Sequence, residues 1–394
     1  MMKSKIFMCC AIMITLLTVL IFNGCAPLKE FGTSPAYEGS NNYSYELPAY
    51  DSLKKTVVIV ANNDGTELFD MMAPYYLFNA TGRANVYIVA KKRFPVVVKK
   101  GFYLLPQATF SEIDSLKIKP DVIVIPFLAA ADSAHQDPVI VNWIKNHYTA
   151  NVNILAVCDG AATAAATGIF DGKPITAHAS DYEGIKVHFS RPLWVQNTSV
   201  VNEGNLYSTA GVSNATEGSL AVINKLFGAD IMHKVMDDVA YPHPTLKTEH
   251  QSISFKFGDK LAIGKKITCR KNKRLGVLLQ EGINEFDLAG IMDTYNRTFP
   301  GSIKSFSAND TPVKTKYGLV IIPTGKSNDT RLDELHIIGP DPFSASRPMP
   351  FKYAEVVKYN NGPNQYIIDV CLQRINAAYG QEFQNIVKLM LDYN

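Results

Sequence analysis

The sequence predicts an α/β protein: a doubly wound, mostly parallel sheet, followed by a second, smaller and degenerate copy of the same unit. Three observations predict it. Short, continuously apolar strands alternate with helical periodicities from residue 56 onward, a stretch near the start recurs further along, and an apolar strand runs directly into an alanine-rich helix at Cys158. Continuously apolar strands belong to sheets covered on both faces, which is the habit of parallel strands joined by helical crossovers.

Taken in order, Lys3 and Lys5 precede an apolar run from Ile6 to Phe22 that stops at Asn23-Gly24-Cys25. This is the pattern of a lipoprotein export signal, with Cys25 as the lipidated N-terminus of the mature chain; Phe22 stands where such signals usually have Leu, and a secreted form or an uncleaved anchor is the alternative. The expected location is the bacterial cell envelope, exported and lipid-anchored to a membrane. Residues 26–53 are rich in Gly, Ser, Asn, Pro and Tyr without an apolar period, and read as a flexible tether. The first folded unit is expected over 54–242. In it Thr56–Val60 is a strand, Gly65 opens a turn, and Leu68, Met71, Met72, Tyr75, Leu77 and Phe78 mark a helix. Val86–Val89, Asp121–Ile125 and Asn153–Val157 are further strands, and Val141 to Tyr148 a helix between the last two.

Residues 65–106 lie over 282–323 without a gap at an offset of 217: Phe69 and Asp70 meet Phe286 and Asp287, and Gly101 and Pro106 meet Gly318 and Pro323. A second block lies at an offset of 152, placing Leu220, Asn224 and Gly228 over Leu372, Asn376 and Gly380. The fall in offset by 65 residues implies that the copy, over 273–394, keeps the beginning and end of the unit and has lost most of its middle, Cys158 included. Residues 243–272, with the basic stretch Lys265 to Arg274, read as a solvated linker.

The formal net charge is +3, with no basic run interleaved with aromatics, so nucleic acid is not an expected partner. Outside the signal the cysteines are Cys158, Cys269 and Cys371, an odd number that argues against a disulfide framework. Their spacing suits no metal, and no cofactor is expected. Cys269 and Cys371 read as inert.

At Cys158, Ile154-Leu-Ala-Val-Cys158-Asp159-Gly160-Ala161-Ala162 passes from strand to helix at the carboxyl edge of the sheet, where ligands of open α/β folds bind. Gly160 permits a tight turn, and the positive end of the following helix is expected to lower the thiol pKa. Residues 56–241 resemble the ThiJ/PfpI superfamily, of class I glutamine amidotransferase-like, flavodoxin-like fold. The likeness is to the branch of isocyanide hydratases and AraC-type regulator sensing domains. It rests on GTELFDMMAPYYLF (65–78), Gly101–Pro106, Asp121–Pro126, AVCDGAATAAATGIFDGKPITAH (156–178) and YSTAGVSNATEGSLAVINKLFG (207–228).

The resemblance implies that Cys158 is an elbow nucleophile and Asp70 the acid that hydrogen-bonds its sulfur and moves protons. Asp159, Gly160, Phe127 and His178 would support the pocket. Asp159 stands where the family has Thr or His, and Phe127 where it has a glycine whose N–H helps form an oxyanion hole. Read from the residues alone, His178 is sooner a partially buried structural histidine than a pocket residue, and Glu67 an exposed residue of the same turn. The implied activity is a cysteine-dependent hydratase or lyase acting on a small electrophile. A non-catalytic ligand-binding or thiol-redox sensing module is the alternative. The family commonly dimerises beside the elbow, so the second copy is expected to take the place of a homodimer partner within the chain.

Overall fold

The structure, a computed structural model, describes residues 35–45, 47–98, 101–130, 134–269, 272–326, 331–340, 352–359 and 365–394. The signal and Cys25 lie outside them. Among the described residues no helix is long and apolar enough to cross a membrane.

The N-terminal half begins with β1 (Lys55–Val60), α1 (Leu68–Ala80) and β2 (Ala84–Ala90), then β3 (Val96–Val97), β4 (Phe102–Leu104), β5 (Ala108–Thr109) and α2 (Phe110–Ser115). It continues through β6 (Val122–Ile125), α3 (Pro138–His147), β7 (Asn153–Ala156), α4 (Gly160–Ala166), β8 (Pro174–Ile175), α5 (Tyr182–His188) and β9 (Leu193–Trp194). It closes with β10 (Val200–Glu203), β11 (Leu206–Thr209), α6 (Ala215–Phe227) and α7 (Ala229–Asp238). The main sheet has the order β10-β11-β7-β6-β1-β2-β5. Every pairing is parallel except β10 with β11 at one edge.

Successive strand residues point to opposite faces, so Val57 and Ile59 enter one core with α1 and α6, and Val58 and Val60 another with α2, α3 and α4. Both faces are covered, as the apolar strands require.

The C-terminal half contains α8 (Phe257–Cys269), β12 (Arg274–Leu278), α9 (Glu285–Asn296), β13 (Ser302–Phe306), β14 (Val313–Lys314) and β15 (Val320–Pro323). After these come β16 (Leu332–Ile338), β17 (Tyr353–Tyr359), α10 (Ile367–Tyr379) and α11 (Gln381–Leu391). Its parallel sheet, β13-β12-β16-β17, repeats the order and direction of β2-β1-β6-β7. β14 starts 217 residues after β3, and α10 spans α6 shifted by 152. Gly228 (φ +86°) parts α6 from α7, and Gly380 (φ +88°) parts α10 from α11.

The halves are not separate bodies on a string. Strand β15 pairs antiparallel with β4, making one four-stranded sheet, β14-β15-β4-β3, from both. The Phe69 and Phe286 rings meet edge to face at 5.3 Å, and one continuous core runs through both halves. Two expectations of loose chain differ from what is seen. Part of the tether is packed down, because Tyr37 sets its ring against Phe94 and Tyr103 and Arg93 lies over Tyr45. The linker carries α8, and its first part is held by Ser199 N–H to Thr248 O (3.0 Å) and by His250 to Asp392 (3.0 Å).

Candidate functional site

Strand β7 stays in register with β6 up to Val157, whose N–H donates to Ile125 O at 2.9 Å, and the next residue turns sharply. Cys158 has φ +54°, in the left-handed region that L-residues avoid at a cost of roughly 1–2 kcal/mol. The turn is held from both sides, since Cys158 N–H donates to Thr209 Oγ1 on β11 (3.2 Å) and its carbonyl accepts from Ala161 N–H (3.2 Å). Only glycine fits at 160, where a Cβ would stand 2.1 Å from Ile125 O. A nucleophile on a strained strand-to-helix turn is how α/β folds aim a side chain off the sheet edge.

The thiol's electrostatics overturn the expectation of a low pKa. Burial pushes the Cys158 thiol well above its ordinary range, and the charges of Asp70, Asp159 and Glu67 push it further. A backbone hydrogen bond at Asp159 acts the other way and does not win. The helix after the turn has seven residues, and its dipole is outweighed by three carboxyl groups on a sulfur that is 3% exposed. Cys158 therefore rests as a protonated thiol, not as a thiolate.

Asp70 is fully buried on the first turn of α1, where its Oδ2 accepts the N–H of Phe127 at 3.1 Å. That corrects the role expected of Phe127, whose N–H is directed at a carboxylate of the protein and not at a substrate oxyanion. Glu67, expected outside, is fully buried as the N-cap of α1. Its Oε2 accepts Asp70 N–H at 2.7 Å, and its own N–H donates to Phe127 O at 2.8 Å. A negative group at a helix start suits the exposed N–H groups there. Asp159 is buried beside the thiol and caps no N–H of α4 with its side chain.

Thus Cys158, Asp70, Asp159, Gly160 and Phe127 come together around the elbow. His178 makes its contacts within its own loop. Its Nδ1 lies 2.7 Å from Ser180 Oγ, accepts Ser180 N–H at 3.2 Å and faces Asp181 at 3.9 Å. Two further residues belong to the site. Thr209 lies in the quoted stretch 207–228 but carries no motif of its own. Arg297 comes from the C-terminal half and brings Nη2 to 3.6 Å from Glu67 Oε1. No local pattern marks Arg297; only the meeting of α1 with α9 brings it there.

A crevice of about 860 Å³ opens between the loops after β1 and β6, where the order of strands reverses. Asn62, Asp64, Gln136, Asp137 and Asn142 give it a polar lining, with Ala166 and Phe189 at its side. Cys158 does not line it.

The family model of DJ-1/PfpI matches residues 54–225, the segment that contains β1, the elbow and most of α6. Residues 54–225 are a DJ-1/PfpI family domain. This domain is similar to isonitrile hydratase of Pseudomonas putida, 25% identical over 172 residues, which are 44% of this chain and 72% of that protein. It is also similar to protein dj-1beta of Drosophila melanogaster, 24% identical over 133 residues, covering 34% of this chain and 68% of that one. Similar solved structures include Drosophila DJ-1beta, with TM-score 0.41 and 20% identity over 46% of this chain and 96% of that one. A ThiJ/PfpI family protein from Pseudomonas syringae gives TM-score 0.42 and 21% identity over 49% and 77%. The DJ-1/PfpI match ends at 225, before the C-terminal half begins.

Proposed function

We propose that the DJ-1/PfpI domain adds the Cys158 thiol to a small electrophilic carbon, of isonitrile or aldehyde type, while Asp70 passes the proton. The observation that carries this reading is a thiol held in a left-handed elbow against a buried carboxyl group. With an isonitrile, sulfur bonds to the terminal carbon and the thiol proton ends on that same carbon, giving a thioimidate. Water then adds to the carbon, the C–S bond breaks, the thiol regains its proton and an N-substituted formamide leaves. Such an addition uses a protonated thiol beside a carboxyl group, because proton and sulfur both reach the substrate.

Redox sensing fits less well. Oxidation follows thiolate character and exposure, and Cys158 has little of either. A non-catalytic binding module keeps one specific support, the polar crevice that Cys158 does not line. The deciding experiment incubates the full chain with a simple alkyl isonitrile and follows the formamide by chromatography. Wild type turns over, while Cys158→Ala and Asp70→Asn lose at least about 100-fold, the usual contribution of a positioned acid or base. No formamide from wild type ends the enzyme reading and leaves the binding module.

The chain as a whole reads as an envelope lipoprotein whose C-terminal half is a degenerate copy standing in for a dimer partner. The signal pattern ending at Cys25 supports the first part. Matching strand order and element spacing support the second. Metabolic labelling with a fatty acid, lost in Cys25→Ser, tests the anchor; a solution mass near twice that of the chain argues against the built-in partner.

A further inference from the structure

Helix α8 (Phe257–Cys269) belongs to neither block of the repeat, and the DJ-1/PfpI match ends before it at 225. On its inner side Ala262 and Ile263 pack against the common core, and Lys266 is buried with its ammonium 5.2 Å over the Tyr379 ring. Its outer side is unusual. Phe257 is 70% exposed, Leu261 64% and Ile267 49%, although a connector gains nothing from apolar side chains held in water. At 3.6 residues per turn Phe257, Leu261 and Gly264 share the middle of that side, with Lys260 and Ile267 along one flank and Lys265 along the other. Lys256 stands just before the first turn, where its backbone N–H donates to Asp259 Oδ2 at 2.8 Å. Residues 256–271 hold six basic side chains and one acidic, while the formal net charge of the whole chain is +3, so positive charge is concentrated here and the rest of the chain is on balance acidic.

We propose that the outer face of α8 is an interfacial surface that lies on an anionic lipid bilayer. Phe257, Leu261 and Ile267 enter the boundary between headgroups and acyl chains, and Lys256, Lys260 and Lys265 spread around them, stems along the apolar surface and ammonium groups at lipid phosphates. An apolar centre with cations on both flanks matches a bilayer, which offers hydrocarbon below and phosphate above along one plane. A second copy of the chain matches it less well, because a two-fold contact would set two faces of the same positive charge against one another. The anchored reading adds a constraint of distance. Ten residues separate Cys25 from Pro35, where the described chain begins, and even fully extended they reach roughly 35 Å, so a lipidated chain keeps its folded body beside the membrane. That constraint rests on lipidation of Cys25; the composition of the α8 face does not.

The test uses the full chain carrying Cys25→Ser, to which no lipid is attached. Its co-sedimentation is measured with vesicles of phosphatidylglycerol and phosphatidylcholine in equal parts, and with vesicles of phosphatidylcholine alone. An unaltered α8 is expected to give tighter binding to the anionic vesicles, weakening as salt is raised, and slower amide exchange over 255–267 when they are present. Lys256→Gln and Lys265→Gln each weaken that binding about fivefold, the effect of one cation near such a surface. Phe257→Ser and Leu261→Ser each weaken it about tenfold or more. Because all four side chains are exposed, each variant should melt at the temperature of its parent, which separates lost docking from lost folding.

Equal binding to both kinds of vesicle, or anionic binding that none of these substitutions changes, overturns the proposal. So does a solution mass twice that of the chain, seen without vesicles and lost in Leu261→Ser, which would assign the face to a second copy. If the serine variants fail to fold, the two lysine variants decide alone, and unchanged binding overturns it. Fatty-acid labelling of Cys25 is read separately: its absence removes the anchor and leaves the α8 surface standing, and failed vesicle binding by the Cys25→Ser chain leaves the anchor standing.

Discussion

At Cys158 the local signal and the tertiary surroundings pull in opposite directions. Strand, turn and helix are the setting of an activated thiolate, yet burial and three carboxyl groups hold the proton on sulfur. The sign of the pH dependence follows. The folded chain binds this proton more tightly than the unfolded chain, whose thiol titrates near 9.0, so the contribution is fully present below pH 9 and is lost as pH climbs beyond it. Alkaline denaturation of Cys158→Ser should therefore start at higher pH than that of wild type, and coincident transitions would refute the assignment. Asp159 pushes the thiol pKa up, and its side chain makes no cap at α4. Asp159→Asn is expected to lower the thiol pKa and speed alkylation of Cys158 by about tenfold at pH 8, one pKa unit of effect. The residues were legible in the sequence, but whether the carboxylates of Glu67 and Asp70, far earlier in the chain, face the sulfur depends on how α1 lies across the sheet.

Elements were legible in proportion to their apolar periodicity. The strands Lys55–Val60, Val122–Ile125 and Asn153–Ala156 are apolar after their first one or two residues and fall where they were expected, and α1 begins after the turn opened by Gly65. Helix α8 was not legible, because Gly258 and Gly264 interrupt it and its lysines resemble a solvated connector. The packed tether was missed for a different reason: tyrosines without a period look like loop until Phe94 and Tyr103 provide rings to lie against. The elbow makes a sharper demand. At Gly160 the obstacle to a side chain is backbone, Ile125 O at 2.1 Å and Pro126 O at 2.8 Å, and neither can swing aside. Gly160→Ala must push β6 from α4 and should cost about 1–3 kcal/mol in urea unfolding, the usual range for overpacking. A variant as stable as wild type would mean that the turn has slack. In the other half, burial opposes ionisation of Glu334, but His336 and Lys273 outweigh it and bring the carboxyl down to about 2. Its stabilising contribution is present above pH 4.5 and is lost as pH falls through 2, so Glu334→Gln should flatten the acid limb of the stability curve.

For the whole molecule the decisive feature is that no boundary separates two cores. Two domains joined only by a linker would unfold independently, each with its own midpoint. Here α1 and α9 lay equivalent phenylalanines, Phe69 and Phe286, against one another at 5.3 Å, and Phe286 is 1% exposed. Strand β15 completes its hydrogen bonding on β4, Arg297 meets Glu67, and the C-terminal residues lock onto the loop after β11 through Ser213 N–H to Leu391 O (3.0 Å) and Ser213 Oγ to Asp392 O (3.2 Å). Losing either half would expose apolar surface of the other. Unfolding is therefore expected to be a single cooperative transition in calorimetry, with the calorimetric and van't Hoff enthalpies in agreement. Phe286→Ala should cost about 3–5 kcal/mol, as for other buried phenylalanines. Because the cavity opens at the contact between halves, the loss should reach the elbow, lowering the protection of Cys158 against alkylation along with the melting temperature. Two separate transitions in wild type, or a Phe286→Ala variant in which Cys158 stays as protected as before, would show that the N-terminal domain stands without its companion.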